Sequence, residues 1–273
     1  SSGAPEMKDY KNANLKFWDS IVEEHWKSDF YDVPSFLTGK TSLDPLEMEV
    51  VGDVNGRTLL HLQCHFGLST LSWVRLGAIA TGIDFSPAAI STANKLSQKS
   101  GLPAKFIESN IYDISKIVEE KYDIVFASYG VLCWLPELDK WAKEIAHCMK
   151  AGGRFHLVEY HPLMNTLDSG TGNEVILKNS YFNEGVEILE AEGSYANPES
   201  HIKNSTYEWS HSIGEVITAL LKAGLHIDNF VEYPYATEGG WISYLHKGED
   251  GKWRVPDYKW GVPLTFSLSA SKK

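Results

Sequence analysis

From Thr58 to Tyr160 short runs of β-type residues alternate with stretches of helical spacing, the rhythm of a parallel sheet flanked by helices. The pattern predicts strands at Thr58–Gln63, Ile79–Asp84, Ala104–Ser109, Tyr122–Ser128 and Arg154–Tyr160. Ser86-Pro87 offers a helix N-cap followed by a proline in the first turn, and Gly101 a stop. Ile90, Ala93 and Leu96 form an inward stripe between them. A later helix carries Leu138, Trp141, Ile145 and Cys148 on one face and is predicted to end at Gly152-Gly153.

Beyond Tyr160 the alternation breaks for about fifty residues, too long for a simple connection, so an insertion is predicted at about 162–210. Ser212 and Glu215 then form a capping box ahead of Ile213, Val216, Leu220 and Leu221, and His226–Tyr233 and Leu264–Ala270 read as strands. Between them, at about 235–262, lies an aromatic segment with Tyr235, Trp241, Tyr244, Trp253, Tyr258 and Trp260. Upstream, Leu15, Trp18, Val22 and Trp26 share a helical face. Residues 1–57 are therefore expected to form a helical cap, either packed on the domain at 58–273 or acting as a lid. Ser1-Ser2-Gly3 reads as the remnant of a cleaved tag.

Acidic residues outnumber basic ones by 36 to 25, and the Lys and Arg are dispersed, which argues against a nucleic-acid partner. No apolar run approaches the roughly 20 residues that cross a bilayer, and no signal peptide is evident, so a cytoplasmic protein without membrane contact is expected. Cys64, Cys133 and Cys148 are too scattered for a disulfide framework and read as reduced thiols.

In open α/β sheets, ligands bind at the carboxyl ends of the strands, where strand order reverses. The first such end reads Leu60-His61-Leu62-Gln63-Cys64-His65-Phe66-Gly67. A dinucleotide site wants Gly-x-Gly-x-x-Gly there, so that bare N–H groups meet a pyrophosphate. One glycine, with Gln63, His65 and Phe66 beside it, argues against NAD or FAD and suits a cofactor without phosphate, such as S-adenosylmethionine. Asp84 ends the second strand about twenty residues on, where a carboxylate accepts bonds from ribose hydroxyls. Asn110 and Ile111 after the third strand suit an adenine edge and ring, or a plain turn.

Leu60 to Gly67, Gly82-Ile83-Asp84-Phe85-Ser86, Tyr122-Asp123-Ile124-Val125 and Ala151-Gly152-Gly153 resemble successive motifs of class I S-adenosylmethionine-dependent methyltransferases, in family order and spacing. The opening His-Leu-Gln-Cys-x-x-Gly is similar to a bacterial small-molecule branch of that family. Pro263 to Leu268 is similar to its last, antiparallel strand. The resemblance implies a Rossmann-like, mainly parallel seven-stranded sheet with an antiparallel last strand and an inserted lid. It implies that Gln63, Cys64 and Gly67 border the methionine part of the cofactor, Asp84 and Phe85 the ribose and adenine, and Asn110 and Ile111 the adenine. Ser128 and Tyr129 would lie near the sulfonium. The chain departs from the family at His61, Gln63 and His65, where an acid and two glycines are usual. Ser128-Tyr129-Gly130-Val131 is unlike the Asn/Asp-Pro-Pro-aromatic run of enzymes that methylate DNA amines, and Cys133 reads as a packing residue.

Methyl transfer is an in-line displacement at an activated carbon, so alignment and exclusion of water dominate and a base is optional. His161, after the fifth strand, and His211, ahead of the Ser212 helix, are the candidates to take a proton beside Tyr129. No metal site is expected: His61 and His65 span a strand-to-loop junction rather than a helix. The leading reading is a methyltransferase acting on an unidentified small molecule, its product S-adenosylhomocysteine and its oligomeric state open. A non-catalytic S-adenosylmethionine-binding protein and an NAD-dependent oxidoreductase are the alternatives.

Overall fold

The computed structural model describes residues 7–197, 199, 203–257 and 261–273, so Ser1-Ser2-Gly3, Tyr258 and Trp260 lie outside the described residues. The chain enters through α1 (Met7–Lys27), α2 (Val33–Leu37) and α3 (Pro45–Val51). It then alternates β1 (Thr58–Leu62), α4 (Leu68–Arg75), β2 (Ile79–Asp84), α5 (Pro87–Ser100), β3 (Lys105–Glu108), α6 (Ile114–Ile117), β4 (Tyr122–Ser128), α7 (Leu138–Cys148) and β5 (Met149–Tyr160). After Tyr160 come α8 (Leu163–Thr166) and two hairpins, β6 (Leu167–Ser169) with β7 (Val175–Leu177) and β8 (Glu187–Glu192) with β9 (Lys203–Glu208). The remainder is α9 (Ile213–Lys222), β10 (His226–Tyr233), the short pair β11 (His246–Lys247) and β12 (Trp253–Arg254), and β13 (Thr265–Ser271).

Among the described residues, seven strands form one sheet in the order β10-β13-β5-β4-β1-β2-β3, and β13 alone runs against its neighbours. Both faces are covered, which is why β1 reads as an apolar run instead of a clean alternation. Leu60, Leu62, Val125 and Leu157 pack under Trp141 and Ile145 of α7 and Val216 and Leu220 of α9. Leu59 and Phe126 point the other way, against Trp73 of α4 and Val54. Chain order reverses between β1 and β4, and this opens a crevice at their carboxyl ends. Among the described residues no helix is long and apolar enough to cross a membrane.

Local chemistry sets the helix ends. Ser86 accepts the Ala89 N–H at 3.0 Å and Gly101 closes α5 in the left-handed conformation. Ser212 caps α9 by accepting the Glu215 N–H at 3.2 Å, but Glu215 does not complete a capping box, because its carboxylate meets His211 Nδ1 at 2.9 Å. The end of α7 differs from the sequence expectation: the helix stops at Cys148, and Gly152-Gly153 lie inside β5. There the register with β4 jumps from Tyr122↔Met149 to Ile124↔Arg154. The glycines bend the strand start around β4, and Gly152 donates to the Lys272 carbonyl at 2.7 Å, tying it to the C-terminal strand.

A Cβ at Gly153 would lie 2.8 Å from the Lys150 carbonyl oxygen and 3.0 Å from that of Tyr122, both backbone, whereas at Gly152, with φ +77, it would meet open space. Gly153→Ala is expected to lower the unfolding free energy by about 1–3 kcal/mol through overpacking. Gly152→Ala should cost about 1–2 kcal/mol through backbone strain alone. Urea midpoints of the two variants check this.

Candidate active site

Where β1, β2, β4 and β5 end, the sheet opens into a cavity of about 1300 Å³. Gln63, Cys64, His65, Gly67, Asp84, Phe85, Ser128 and Tyr129 all lie on its wall, so most residues singled out from sequence are brought together.

The turn after β1 follows a glycine-type path without the glycines. Gln63 and His65 both sit at φ 53, in the left-handed region, at a cost of roughly 1–2 kcal/mol each. Specific bonds hold them there. Gln63 Nε2 donates to the Val131 carbonyl at 3.1 Å, and the His65 N–H donates to Asp84 Oδ2 at 2.9 Å. His65 Nε2 meets His25 Nδ1 at 2.9 Å. Gln63 Oε1 is buried with no hydrogen-bond partner. Gly67, at φ +86, starts α4, and a Cβ there would press on the Phe106 ring, 2.6 Å away. Cys64 is buried, and its thiol is pushed well up by that burial and by the Asp84 charge.

Asp84 is buried, with Oδ2 on the His65 N–H and Oδ1 on the Ser86 N–H at 3.0 Å. Burial pushes its carboxyl up to about 6, against the pull of these N–H groups, and the charge of nearby Asp19 adds to the rise. Each carboxylate oxygen keeps lone pairs for further donors. Asp19, on α1, accepts from the Ser86 hydroxyl and from the Ala88 N–H at 3.4 Å, so α1 is docked on the start of α5. Asn110 and Ile111 are not on the cavity wall: Asn110 Oδ1 caps a short turn by accepting the Tyr112 N–H at 3.0 Å, and Ile111 is buried in the main core.

At the other side of the crevice the loop after β4 is held by one buried carboxylate. Glu159 Oε1 accepts the N–H groups of Gly130 at 2.6 Å and Tyr160 at 2.9 Å, and Oε2 those of Val131 at 2.9 Å and Leu132 at 3.2 Å. This loop carries Tyr129 at φ 41, with its hydroxyl donating to Asp44 Oδ2 at 2.5 Å. Thr237 from the aromatic segment donates to the same oxygen at 3.0 Å. Asp44 caps α3 by accepting the Glu47 N–H at 2.8 Å, and Glu47 Oε1 returns a bond to the Asp44 N–H at 3.1 Å. Glu47 lies on the cavity wall, 4% exposed, with Oε2 lacking a hydrogen-bond partner. Burial and the Asp44 charge hold it well above the ordinary carboxylate range, while the Ser128 hydroxyl opposes the rise.

The two histidines proposed as bases are placed differently. His161 is not on the cavity wall: its Nε2 meets Glu232 at 2.6 Å, its Nδ1 accepts the Leu163 N–H at 3.1 Å, and its ring stands edge-on to Phe266. His211 does reach the wall, but its Nδ1 faces Glu215 and its Nε2 the Leu135 carbonyl at 2.5 Å. The ring nitrogens of His161 are taken up by Glu232 and the Leu163 N–H and those of His211 by Glu215 and the Leu135 carbonyl, so all four are already engaged within the protein. Asp44 and Glu47 were missed from sequence, where Asp44-Pro45-x-Glu47 signals only a helix start.

Segments outside the sheet close over the cavity. Trp18 stands edge-on to His65 and Trp134, with centroids 5.2 and 5.3 Å apart. His25 Nε2 meets Ser194 Oγ at 2.8 Å, the Tyr31 and Tyr195 hydroxyls bond each other, and Asn14 exchanges two 2.9 Å bonds with the backbone of Tyr207. Trp26 packs on Phe66 instead and does not line the cavity.

This crevice, sheet order and antiparallel last strand define a Rossmann-like protein of the class I methyltransferase architecture. Residues 60–155 match the family described as a methyltransferase domain. The chain is 26% identical over 152 residues to the sterol 4-C-methyltransferase strm-1 of Caenorhabditis elegans, covering 50% of this chain and 42% of that protein. It is 24% identical over 155 residues to the ubiquinone biosynthesis O-methyltransferase of Xanthomonas euvesicatoria pv. vesicatoria (strain 85-10), covering 56% of this chain and 62% of that one. The chain thus spans about half the length of these relatives. An S-adenosylmethionine-dependent methyltransferase from Mesorhizobium loti superposes with a TM-score of 0.60 at 15% identity, over 86% of this chain and 100% of that one.

Glu159 supplies four acceptor bonds to N–H groups, and an amide can turn only one oxygen toward them. Glu159→Gln is expected to lower the unfolding free energy by on the order of 2–4 kcal/mol. Chemical denaturation followed by circular dichroism gives the measurement, and a loss under 0.5 kcal/mol would remove Glu159 as the anchor of this loop.

Proposed function

We propose that this chain is an S-adenosylmethionine-dependent methyltransferase that acts on a small molecule in the cytoplasm. The observation that carries the reading is the pairing, in one cavity, of buried Asp84 with a turn that presents side chains where a dinucleotide fold presents bare N–H groups. The methyltransferase names of the family model and of the relatives support it.

The residues present fit this cofactor. Asp84 would accept from the two ribose hydroxyls, and Phe85 beside it would pack on the adenosine. Orphaned Gln63 Oε1 would accept from the ammonium of the methionine portion. Bound there, S-adenosylmethionine would supply an electrophilic methyl group on a sulfonium. Trp18 and Trp134 would keep water from it, and Ser128 and Tyr129 would stand at the reacting end. Asn110 and Ile111 would serve by shaping the adenine end. The acidic wall and dispersed cations speak for a small-molecule acceptor and not for nucleic acid.

Isothermal calorimetry should show S-adenosylhomocysteine binding and no NADH binding. The reverse pattern would falsify the proposal. Asp84→Ala should weaken S-adenosylhomocysteine at least tenfold. Because ribose hydroxyls donate to the ionised carboxylate, whose titration is pushed up to about 6, the affinity should also fall by up to tenfold per unit as pH drops below 6. An affinity flat from pH 5 to 8 would remove Asp84 from the site.

The contacts of Trp18 with His65, and of Tyr195 with Tyr31, support a reading of α1 and the insertion as a lid over this cavity. Limited proteolysis should cut both segments more slowly with S-adenosylhomocysteine present, and equal rates with and without it would leave them as passive structure.

A further inference from the structure

Away from the β1 turn, the cavity wall is aromatic. Tyr129, Tyr160, Trp241, Tyr195 and Phe30 follow one another with ring centroids 5.1, 5.8, 5.7 and 5.5 Å apart, from the end of β4 to the mouth. Phe30 and Trp241 also meet at 5.9 Å, so the rings at the mouth close into a triangle. These residues come from the chain before α2, the ends of β4 and β5, the β8–β9 connection and the aromatic segment. Distant pieces of sequence thus converge on one surface. Tyrosine and tryptophan faces carry negative potential and attract cations.

Charge on the same wall has the same sign. Among the described residues it includes nine carboxylates, Asp44, Glu47, Glu159 and Glu238 among them, and two lysines. Lys178 is engaged outside the wall, with Asp168 at 3.0 Å, and Lys40 pairs with Asp32, itself one of the nine, at 3.8 Å. Burial and the charges of Glu159, Glu238 and Asp44 all raise the Tyr160 hydroxyl. An anionic acceptor would enter against this field, and a cation would be drawn in. At the inner end, Glu47 is buried beside Ser128 with one carboxylate oxygen unbonded. An unpartnered acceptor atom in a buried wall is costly unless a ligand donor meets it.

We propose that the methyl acceptor is a small cationic amine, held as an ammonium by the rings of Tyr160, Trp241, Tyr195 and Phe30, with Glu47 as the carboxylate that meets it at the reacting end. This rests on the methyltransferase reading above. An ammonium nitrogen has no lone pair, so transfer needs one proton to leave first, and Glu47 Oε2 takes it. The freed lone pair then forms the N–C bond as the sulfonium C–S bond breaks. The C–S electron pair stays on sulfur, and the positive charge passes to the methylated nitrogen. Glu47 afterwards returns its proton to solvent.

The test uses three probes of one shape, choline, 3,3-dimethylbutan-1-ol and 3,3-dimethylbutanoate, titrated by calorimetry into protein saturated with S-adenosylhomocysteine at pH 7. Choline should bind at least tenfold more tightly than the alcohol, and the anion not at all. W241A should weaken choline at least fivefold while S-adenosylhomocysteine affinity stays within twofold. Repeating the choline titration in buffers of different protonation heat should show about one proton released by the wild type and none by E47Q, because a cation beside Glu47 drives it to ionise. Glutamine preserves the α3 cap, so E47Q is expected to fold. Equal binding of choline and the alcohol overturns the amine assignment, and absence of proton release from the wild type overturns the role of Glu47. Failure of S-adenosylhomocysteine to bind in the first step would instead sink the methyltransferase reading, so the two failures are distinguishable.

Discussion

A carboxylate buried at the end of β2 has to find donors, and Asp84 finds them in the backbone at 2.9 and 3.0 Å, from His65 in the turn after β1 and Ser86 at the start of α5. Burying such a charge costs several kcal/mol unless donors surround it. Here the donors lie in a strained turn and near a helix start, where the macrodipole favours negative charge. The turn in return gains a fixed point that holds Gln63 and His65 in a backbone conformation they would not choose. Asp19 reads the same helix start from α1, so the segment before the sheet takes its position from this site as well. Two carboxylates close together make Asp84 easier to protonate, which is the electrostatic cost of docking α1 there.

The opposite rim is built on the same principle with a different acid. Glu159 gathers four N–H groups and fixes the loop that carries Tyr129, while the Asp44 hydroxyl contacts tie that loop to α3 and to the aromatic segment. Sorting the buried acids by their partners therefore separates their roles. Glu159 is fully engaged by backbone and shapes the wall, and Asp84 is partly engaged with lone pairs to spare. Glu47 keeps one oxygen bare. A group fully satisfied by the protein itself has little left to offer a ligand, and one left unsatisfied gains most from a ligand donor.

Much of this was legible in the sequence because it depends on local rules. The strands β2, β4 and β10 fall where the β-type runs end, and the Ser86-Pro87 cap and the carboxylate at Asp84 are set by neighbours a few residues away. The end of α7 was misplaced because Gly152-Gly153 has the composition of a helix stop, yet serves a register jump whose partner, Tyr122, lies about thirty residues earlier. Asn110 was legible as a turn residue, and its side chain is used as such. The capping box at Asp44 and Glu47 was there to be read, but a box fixes only backbone partners. That its acids also face Tyr129 and Ser128 across the crevice depends on how α3 docks at the end of β4, which no local pattern encodes. The partner of His211 Nε2 was out of reach for the same reason, since Leu135 lies 76 residues away.

Under the proposed chemistry the cavity has a specific electrostatic task. The sulfonium of the cofactor is a cation, and an amine acceptor arrives as a second one, so two like charges must approach within bonding distance in a space from which tryptophans exclude water. Removing water strengthens their repulsion along with every attraction. An acidic wall offsets the repulsion for both ligands, and loss of the acceptor's proton to Glu47 converts it from a repelled cation into a neutral nucleophile at the moment of attack. Glu159 is ill placed for that exchange, because both of its oxygens are held by backbone N–H groups. A bare oxygen in a buried, acid-crowded place favours the protonated form until a cation is beside it. Of Asp84, Glu159 and Glu47, the acid poorest in protein partners is thus the one whose proton affinity a cationic ligand changes most.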